Sequence, residues 1–79
     1  MRMAVFDIDG TILKERNWGD KVGAHGEIPG ALNFVKQKES DGYIIAYCTA
    51  RPEENRQEIK AALDEYGFPY RNELLFCLP

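Results

Sequence analysis

Two aspartates one residue apart, Asp7 and Asp9, are the side chains of this chain best suited to chemistry. They follow a short apolar run and precede Gly10 and Thr11. One carboxylate of such a pair can attack an electrophile while the other donates or accepts a proton. Oxygens of the same turn can hold Mg²⁺, which prefers carboxylate, carbonyl and water ligands. Gly10 lets the backbone turn sharply beside a ligand, and Thr11 adds a hydroxyl. The pattern therefore predicts a catalytic, metal-binding turn.

A second polar group, Thr49-Ala50-Arg51, ends another apolar run and precedes a predicted helix. A hydroxyl beside the free N–H groups of a helix start is a good seat for an anion. The alternative is that Thr49 only caps the helix. Arg51 can contact a phosphate with two hydrogen bonds, or it can pair with Glu54 or Glu58. With the aspartates at the end of the neighbouring strand, the pattern favours phosphate binding.

The elements that must position these residues are three strands and two helices. Continuous apolar runs near residues 3–6, 43–48 and 74–78 predict parallel strands that are buried on both faces. Between them, residues 29–42 and 52–67 predict crossover helices. The apolar stripes are Ala31, Leu32, Phe34 and Val35 in the first helix, and Ile59, Ala62, Leu63 and Tyr66 in the second. The predicted fold is α/β, a minimal three-layer βαβαβ half of a doubly wound fold. Ligands bind such sheets at the carboxyl ends of the strands.

A glycine-rich segment, residues 12–28, separates the first strand from the first helix and is predicted to be a flap or cap loop. Its single tryptophan, Trp18, either pins the loop to the body or grips substrate. His25 has no nucleophile signature near it and is not assigned to catalysis. The basic residues of the loop are expected to be solvated. They are Lys14, Arg16 and Lys21.

The composition is that of one small globular domain covering residues 1–79, with 44% hydrophobic and 29% charged residues. A net charge of −3 makes nucleic acid an unlikely partner. Cys48 and Cys77 lie in apolar runs and are interpreted as small core residues. The sequence contains no signal peptide pattern and no run of transmembrane length. We therefore expect a cytoplasmic protein without a membrane partner.

These motifs resemble those of the haloacid dehalogenase (HAD) superfamily, specifically its Mg²⁺-dependent phosphatases. Phe6-Asp7-Ile8-Asp9-Gly10-Thr11 is similar to the first family motif, and the run from Ile44 to Thr49 is similar to the second. The resemblance implies a HAD-like Rossmannoid fold and a small-molecule phosphate monoester as substrate. It implies that Asp7 is the nucleophile and a metal ligand. Asp9 would be the acid/base and would give its backbone carbonyl to the metal. The substrate-binding residues would be Gly10, Thr11, Thr49, Ala50 and Arg51.

The chain departs from the family pattern at two places. The third motif supplies a lysine or arginine after the third strand, where this sequence has Leu78-Pro79. The fourth motif is an acidic pair on a further strand, so the chain resembles a HAD domain truncated after its third strand. We expect weak Mg²⁺ binding and low or no turnover. We also expect a bare edge on the first strand, through which a homodimer can form.

Two other functions remain open at this point. The chain can be a non-catalytic Mg²⁺- or phosphate-binding half-domain that works by self-association or with a partner. It can also be a structural fragment or an engineered minimal fold. The missing cation argues against the phosphatase, whereas the intact aspartate pair argues against a purely structural chain, which would gain stability by losing buried carboxylates.

Overall fold

The computed structural model describes residues 2–15 and 19–78 of the chain. Three strands alternate with two α-helices. They are β1 (Arg2–Asp7), α1 (Ala31–Ser40), β2 (Tyr43–Thr49), α2 (Arg56–Tyr66) and β3 (Leu75–Cys77). Short 3₁₀ turns at Glu53–Asn55 and Asn72–Leu74 precede α2 and β3.

The three strands form one parallel sheet, with β2 between β1 and β3. β1 pairs with β2 from Arg2 opposite Tyr43 to Asp7 opposite Cys48, and β2 pairs in turn with β3. This confirms the predicted α/β class with parallel strands and crossover helices. Because the strands run in the same direction, the carboxyl ends of β1 and β2 meet at one edge of the sheet. We call this edge the carboxyl edge.

Both helices pack on the same face of the sheet. Val35 of α1 and Ile59 and Leu63 of α2 are fully buried in one core cluster with Ile45 and Tyr47 of β2. Right-handed crossovers between strands that follow one another in order place their helices on one side. The described residues therefore form two layers, a sheet and a helical layer, rather than the expected three.

The opposite face of the sheet carries exposed apolar side chains. Met3 and Val5 of β1 are 49% and 57% exposed, and Phe76 of β3 is 45% exposed. The register places them on one face, since Val5 pairs with Ala46, and Cys48, two residues further along β2, pairs with Phe76. The prediction that the apolar run of β1 is buried on both faces is therefore wrong.

The segment between β1 and α1 contributes to the core, although its sequence shows no apolar periodicity. Ile12, Leu13 and Val22 are at most 3% exposed. Isolated β-bridges join Leu13 to Asp9 and to Glu27. The first part of the predicted flap is thus anchored in the body of the domain.

A close approach fixes the second part of this segment against α2. A Cβ atom at Gly23 would lie 3.1 Å from the ring of Tyr66 and 3.2 Å from the Cβ of Ala62, and its φ of +78° favours glycine. The Tyr66 hydroxyl also donates to the Gly23 carbonyl oxygen at 2.7 Å. The prediction for Trp18 concerns a residue outside those that the structure describes.

The helix predictions hold for α2 and fail at one position in α1. In α2 the predicted stripe residues Ile59, Ala62 and Leu63 are buried and Tyr66 is partly buried. Gly67 ends the helix with a φ of +82°. In α1 the side chain of Phe34 is 55% exposed and meets Phe6 only edge-on, with ring centroids 6.0 Å apart. Its placement in the buried stripe is therefore wrong. Neither described helix has the length and apolarity of a membrane span.

Candidate active site

Asp7 and Asp9 lie at the carboxyl edge of the sheet on either side of a buried anchor. Ile8 between them is fully buried, and its backbone N–H donates to the Cys48 carbonyl oxygen at 3.2 Å. The chain leaves the regular strand at this point, with Asp7 exposed and Asp9 half-buried. The same Ile8 N–H also lies 2.8 Å from Oδ1 of Asp7. The burial of Ile8 thus fixes both aspartates where β1 ends.

Arg51 binds the carboxylate of Asp9 through two hydrogen bonds. Its Nε donates to Oδ2 at 2.8 Å and its Nη2 donates to Oδ1 at 2.9 Å. The side chains are 13% and 16% exposed, so the pair is largely shielded from solvent. Hydrogen bonding to Asp9 raises the pKa of Arg51, against a smaller opposing effect of burial. The hydrogen bonds of Arg51 go neither to Glu54 nor to Glu58, the two ion-pair partners considered from the sequence.

Thr49 supports the backbone of Arg51. Its Oγ1 accepts a hydrogen bond from the Arg51 backbone N–H at 3.0 Å, which closes a turn directly after β2. The residue is 1% exposed. Helix capping was the other interpretation of Thr49. The N-cap of the following 3₁₀ turn is instead Pro52. The structure therefore brings Thr49 to the carboxyl edge, where its hydroxyl fixes the start of the Arg51 turn.

The loop before α1 reaches the same arginine. Nη1 of Arg51 donates to the backbone oxygen of Asp20 at 3.0 Å. The Asp20 carboxylate meets Nε2 of His25 at 2.6 Å. Beside Arg51 lies a cavity of about 220 Å³. Its lining residues are Gly19, Asp20, Arg51, Pro52, Asn55 and Glu58.

Carboxylates surround the guanidinium of Arg51. Besides Asp9, both Glu58 and Glu15 lie near enough to raise its pKa. Glu58 is itself held in place, because its Oε1 accepts from the Val22 backbone N–H at 2.8 Å. Among the described residues, the carboxyl edge therefore combines several negative groups with the guanidinium of Arg51 at their centre.

The other predicted substrate-binding residues sit at the surface near the aspartates. Gly10, Thr11 and Ala50 are exposed. Gly10 has a φ of +83°, which favours glycine and lets the chain turn away after Asp9. Lys14 and Lys21 are exposed, in line with solvated loop charges, and Arg16 lies outside the described residues.

Mg²⁺ is the metal that the sequence motifs imply. Across residues 2–15 and 19–78, no three His, Cys, Asp or Glu side chains form a metal cluster. The Asp7 carboxylate and the Asp9 backbone carbonyl are hard oxygen donors, whereas both side-chain oxygens of Asp9 accept from Arg51. Mg²⁺ often binds through one or two carboxylates together with water and substrate phosphates. The donors fit this ion in type and would leave most of its shell to water and phosphate.

Sequence reasoning missed the role of Asp20 and the pairing of Asp9 with Arg51. Asp20 lies in a segment without periodicity, and it is the backbone oxygen that contacts Arg51. A backbone contact leaves no trace in the residue type. The Asp9–Arg51 pair spans 42 residues, and only the parallel pairing of β1 with β2 brings it together.

Comparisons with known proteins identify relatives along most of the chain. The family model described as PITM 1-3, LNS2 domain, matches residues 4–77. Membrane-associated phosphatidylinositol transfer protein 3 of Homo sapiens is 31% identical over 70 residues, which cover 87% of this chain. The chain spans only 7% of the length of that relative. A putative nucleotidase of Bacillus cereus is 38% identical over 48 residues, or 61% of this chain and 25% of that protein.

A solved structure shares the fold. The class C acid phosphatase from Bacillus anthracis, solved with tungstate bound, superimposes with a TM-score of 0.84 at 21% identity. The match covers 99% of this chain and 40% of the phosphatase chain. At this level of identity the likeness shows the HAD-like fold alone.

Proposed function

This chain belongs to the PITM 1-3 LNS2 domain family, and we propose that it is a HAD-type phosphohydrolase acting on phosphate monoesters through an aspartyl-phosphate. The observation that carries the proposal is the convergence of Asp7, Asp9, Thr49 and Arg51 at one edge of the sheet. Asp9 and Arg51 are largely buried charges, which are costly to desolvate, and the exposed Asp7 carboxylate lies at the same edge, where a ligand can reach it.

Asp7 is the nucleophile in this proposal. Its carboxylate is exposed, and a backbone N–H at Oδ1 orients it. A carboxylate oxygen of Asp7 attacks phosphorus, a new O–P bond forms, and the ester P–O bond breaks with its electron pair going to the leaving alcohol. Holding the carboxylate at a fixed position lowers the entropic part of the barrier.

Asp9 is the acid/base. It gives a proton to the leaving oxygen in the first step, and in the second it takes a proton from the water that attacks the aspartyl-phosphate. Inorganic phosphate then leaves and Asp7 is regenerated. Thr49, Gly10, Thr11 and Ala50 would contact the phosphoryl oxygens or shape the backbone around them.

Mg²⁺, when bound by the Asp7 carboxylate and the Asp9 carbonyl, supplies charge neutralisation for the phosphoryl group. Because residues 2–15 and 19–78 contribute few metal ligands, we expect weak metal affinity and low turnover. Phosphate monoester hydrolysis needs up to ~10²¹-fold acceleration, most of it electrostatic in origin.

The test is hydrolysis of an aryl phosphate with Mg²⁺ by the unmutated chain and by Asp7→Asn. We expect slow turnover that falls to background in Asp7→Asn, because an amide does not act as the nucleophile. Asp41→Asn is the matched control, since Asp41 is exposed and follows α1 at the opposite edge of the sheet. Equal rates for Asp7→Asn and the unmutated chain would rule the proposal out.

A second candidate function is supported by the unpaired edge of β1 and by its exposed apolar residues. In this alternative the chain is a phosphate- or Mg²⁺-binding half-domain that works as a homodimer through the edge of β1. Native mass spectrometry across a concentration series tests it. A dimer without turnover supports this alternative, and a monomer at the highest concentration contradicts it.

A further inference from the structure

We propose that Arg51 changes partners during binding: it holds Asp9 while the site is free of substrate and moves to the phosphoryl group when a phosphate monoester binds. This inference rests on the proposed phosphohydrolase function and names the cation that such a site needs. It assigns to Arg51 the positive charge that the family resemblance expects at the third motif, where this sequence has Leu78-Pro79.

The first argument is that the observed pairing does not suit Asp9 for proton transfer. Both carboxylate oxygens accept from Arg51, at 2.8 and 2.9 Å. An acid/base must place an oxygen within hydrogen-bond reach of the leaving group. With both oxygens turned to the guanidinium, Asp9 is not free to do so. The two Arg51–Asp9 hydrogen bonds must therefore break before the step that Asp9 catalyses.

The second argument is that a bound phosphate gives Arg51 a better partner. A guanidinium donates to phosphate in the same two-bond geometry that it uses with a carboxylate. A phosphate monoester dianion carries more charge than Asp9. The site also needs this cation, because Asp7, Asp9, Glu15 and Glu58 would otherwise repel the incoming anion.

The third argument is that the backbone of Arg51 is fixed while its side chain has room to move. The hydroxyl oxygen of Thr49, which is 1% exposed, holds the Arg51 backbone N–H at 3.0 Å. The 220 Å³ cavity lies directly against the side chain. The exchange therefore needs only rotation of side-chain torsions. It exchanges one set of charged hydrogen bonds for another without moving β2.

Exchange of partners predicts a coupling between Asp9 and Arg51 in phosphate binding. If Arg51 stays bonded to Asp9 when phosphate binds, the two charges affect the phosphate affinity independently. The factors by which the two substitutions change that affinity then multiply. If Arg51 leaves Asp9, the unmutated chain gives up both charged Arg51–Asp9 hydrogen bonds when phosphate binds. The Asp9→Asn variant has no such charged pair to give up. Asp9→Asn should then raise phosphate affinity more in the presence of Arg51 than in its absence.

The experiment measures the affinity for inorganic phosphate by calorimetry, with and without Mg²⁺, in four chains: unmutated, Asp9→Asn, Arg51→Gln and the double variant. We expect Asp9→Asn to increase affinity at least about tenfold more in the Arg51 background than in the Gln background, the size of one charge-assisted hydrogen bond. Arg56→Gln is the matched control and should leave affinity unchanged. A ratio of one between the two backgrounds overturns the proposal.

A second measurement needs no substitution and covers the case in which Arg51→Gln does not fold. In the unmutated chain labelled with ¹⁵N, the Nε resonance of Arg51 should shift when phosphate is added, while that of Arg56 stays in place. An unmoved Arg51 resonance at saturating phosphate overturns the proposal. Turnover separates the two hypotheses: coupling without any hydrolysis rejects only the phosphohydrolase, and hydrolysis without coupling rejects only the exchange.

Discussion

Arg51 and Arg56 lie five positions apart, and each donates from Nε and Nη2 to a carboxylate. The surroundings of the two pairs differ. Arg51 reaches Asp9 across 42 residues, with both side chains at most 16% exposed. Arg56 holds Glu53 three residues away, and the Glu53 side chain is 63% exposed. One pair joins the ends of two strands at the candidate site, and the other lies at the start of α2.

The two pairs differ in whether water can solvate the carboxylate once its arginine is removed. When Arg56 is lost, solvent can hydrate Glu53. When Arg51 is lost, Asp9 is left without its charged partner at a position where its side chain is only 16% exposed. The same two donor nitrogens thus contribute differently to stability at the two places, because burial decides the cost of an unpaired charge. The comparison also sets a largely buried pair at the candidate site against an exposed pair at the start of α2.

The largest effect should come from removing Arg51. We expect Arg51→Gln to lower the free energy of unfolding by about 3 kcal/mol, the lower end for breaking a buried ion pair. Urea denaturation measures it. Adding Asp9→Asn in the same chain should recover part of the loss, because a neutral amide tolerates burial better than a lone carboxylate. A loss no greater than that of Arg56→Gln would show that the two pairs are equivalent.

Removing Arg56 should have a smaller effect, and on stability alone. Its guanidinium donates to the Leu75 carbonyl oxygen at 2.7 Å and to that of Asn72 at 3.0 Å, which ties α2 to the start of β3. We expect Arg56→Gln to lower the urea midpoint less than Arg51→Gln does, because water can replace much of the exposed pair while the hydrogen bonds to the backbone are lost. Aryl phosphate turnover should be unchanged in the folded variant. A drop in turnover at full folding would place Arg56 in the site and contradict the distinction.

The smallest effect should be the pH dependence of the exposed pair. The hydrogen bond from Arg56 lowers the pKa of Glu53 below its usual value. A lowered pKa in the folded state gives stability that is present above the unfolded-state pKa and is lost as the pH falls through the folded-state pKa. The difference in urea midpoint between the unmutated chain and Glu53→Gln should therefore shrink from pH 7 to pH 3. A constant difference over that range would contradict an ionic origin.

The order and type of the elements could be predicted from the sequence because local signals and tertiary packing agree there. The stripe of Ile59, Ala62 and Leu63 has helical spacing and is buried, and Gly67 ends the helix where its left-handed conformation is needed. The run of β2 is apolar on both faces and is the central strand. In these regions the pattern of apolar side chains in the sequence matches their burial in the structure.

Prediction failed where the environment depends on strand order. The apolar run of β1 resembles that of β2, but in β1, the edge strand, Met3 and Val5 point to the sheet face opposite the two helices and are exposed. An apolar run shows that its side chains can be buried. It does not show how many layers are present to cover the strand. Ile12 and Leu13 show the converse, since they are buried in a segment without any regular period.

The candidate site was predictable as a set of residue types at strand ends and not as a network. The positions of Asp7, Asp9 and Thr49 follow from the parallel sheet, as expected. Their placement at the carboxyl edge is observed, whereas their chemical roles stay predictions. The pairing of Asp9 with Arg51 needed side-chain geometry, because an arginine after β2 can reach several carboxylates.

The parallel pairing of β1 with β2 also sets the order in which the domain can assemble on the ribosome. Arg2 pairs with Tyr43, and Asp9 meets Arg51 only when that residue has emerged. At about 5–20 residues per second, β1 waits roughly 2–8 s for its partner strand. During that interval its apolar side chains and unpaired backbone are open to any other extended segment nearby. Of the three described strands, the one that positions both aspartates is thus made first and stays unpaired until β2 has emerged.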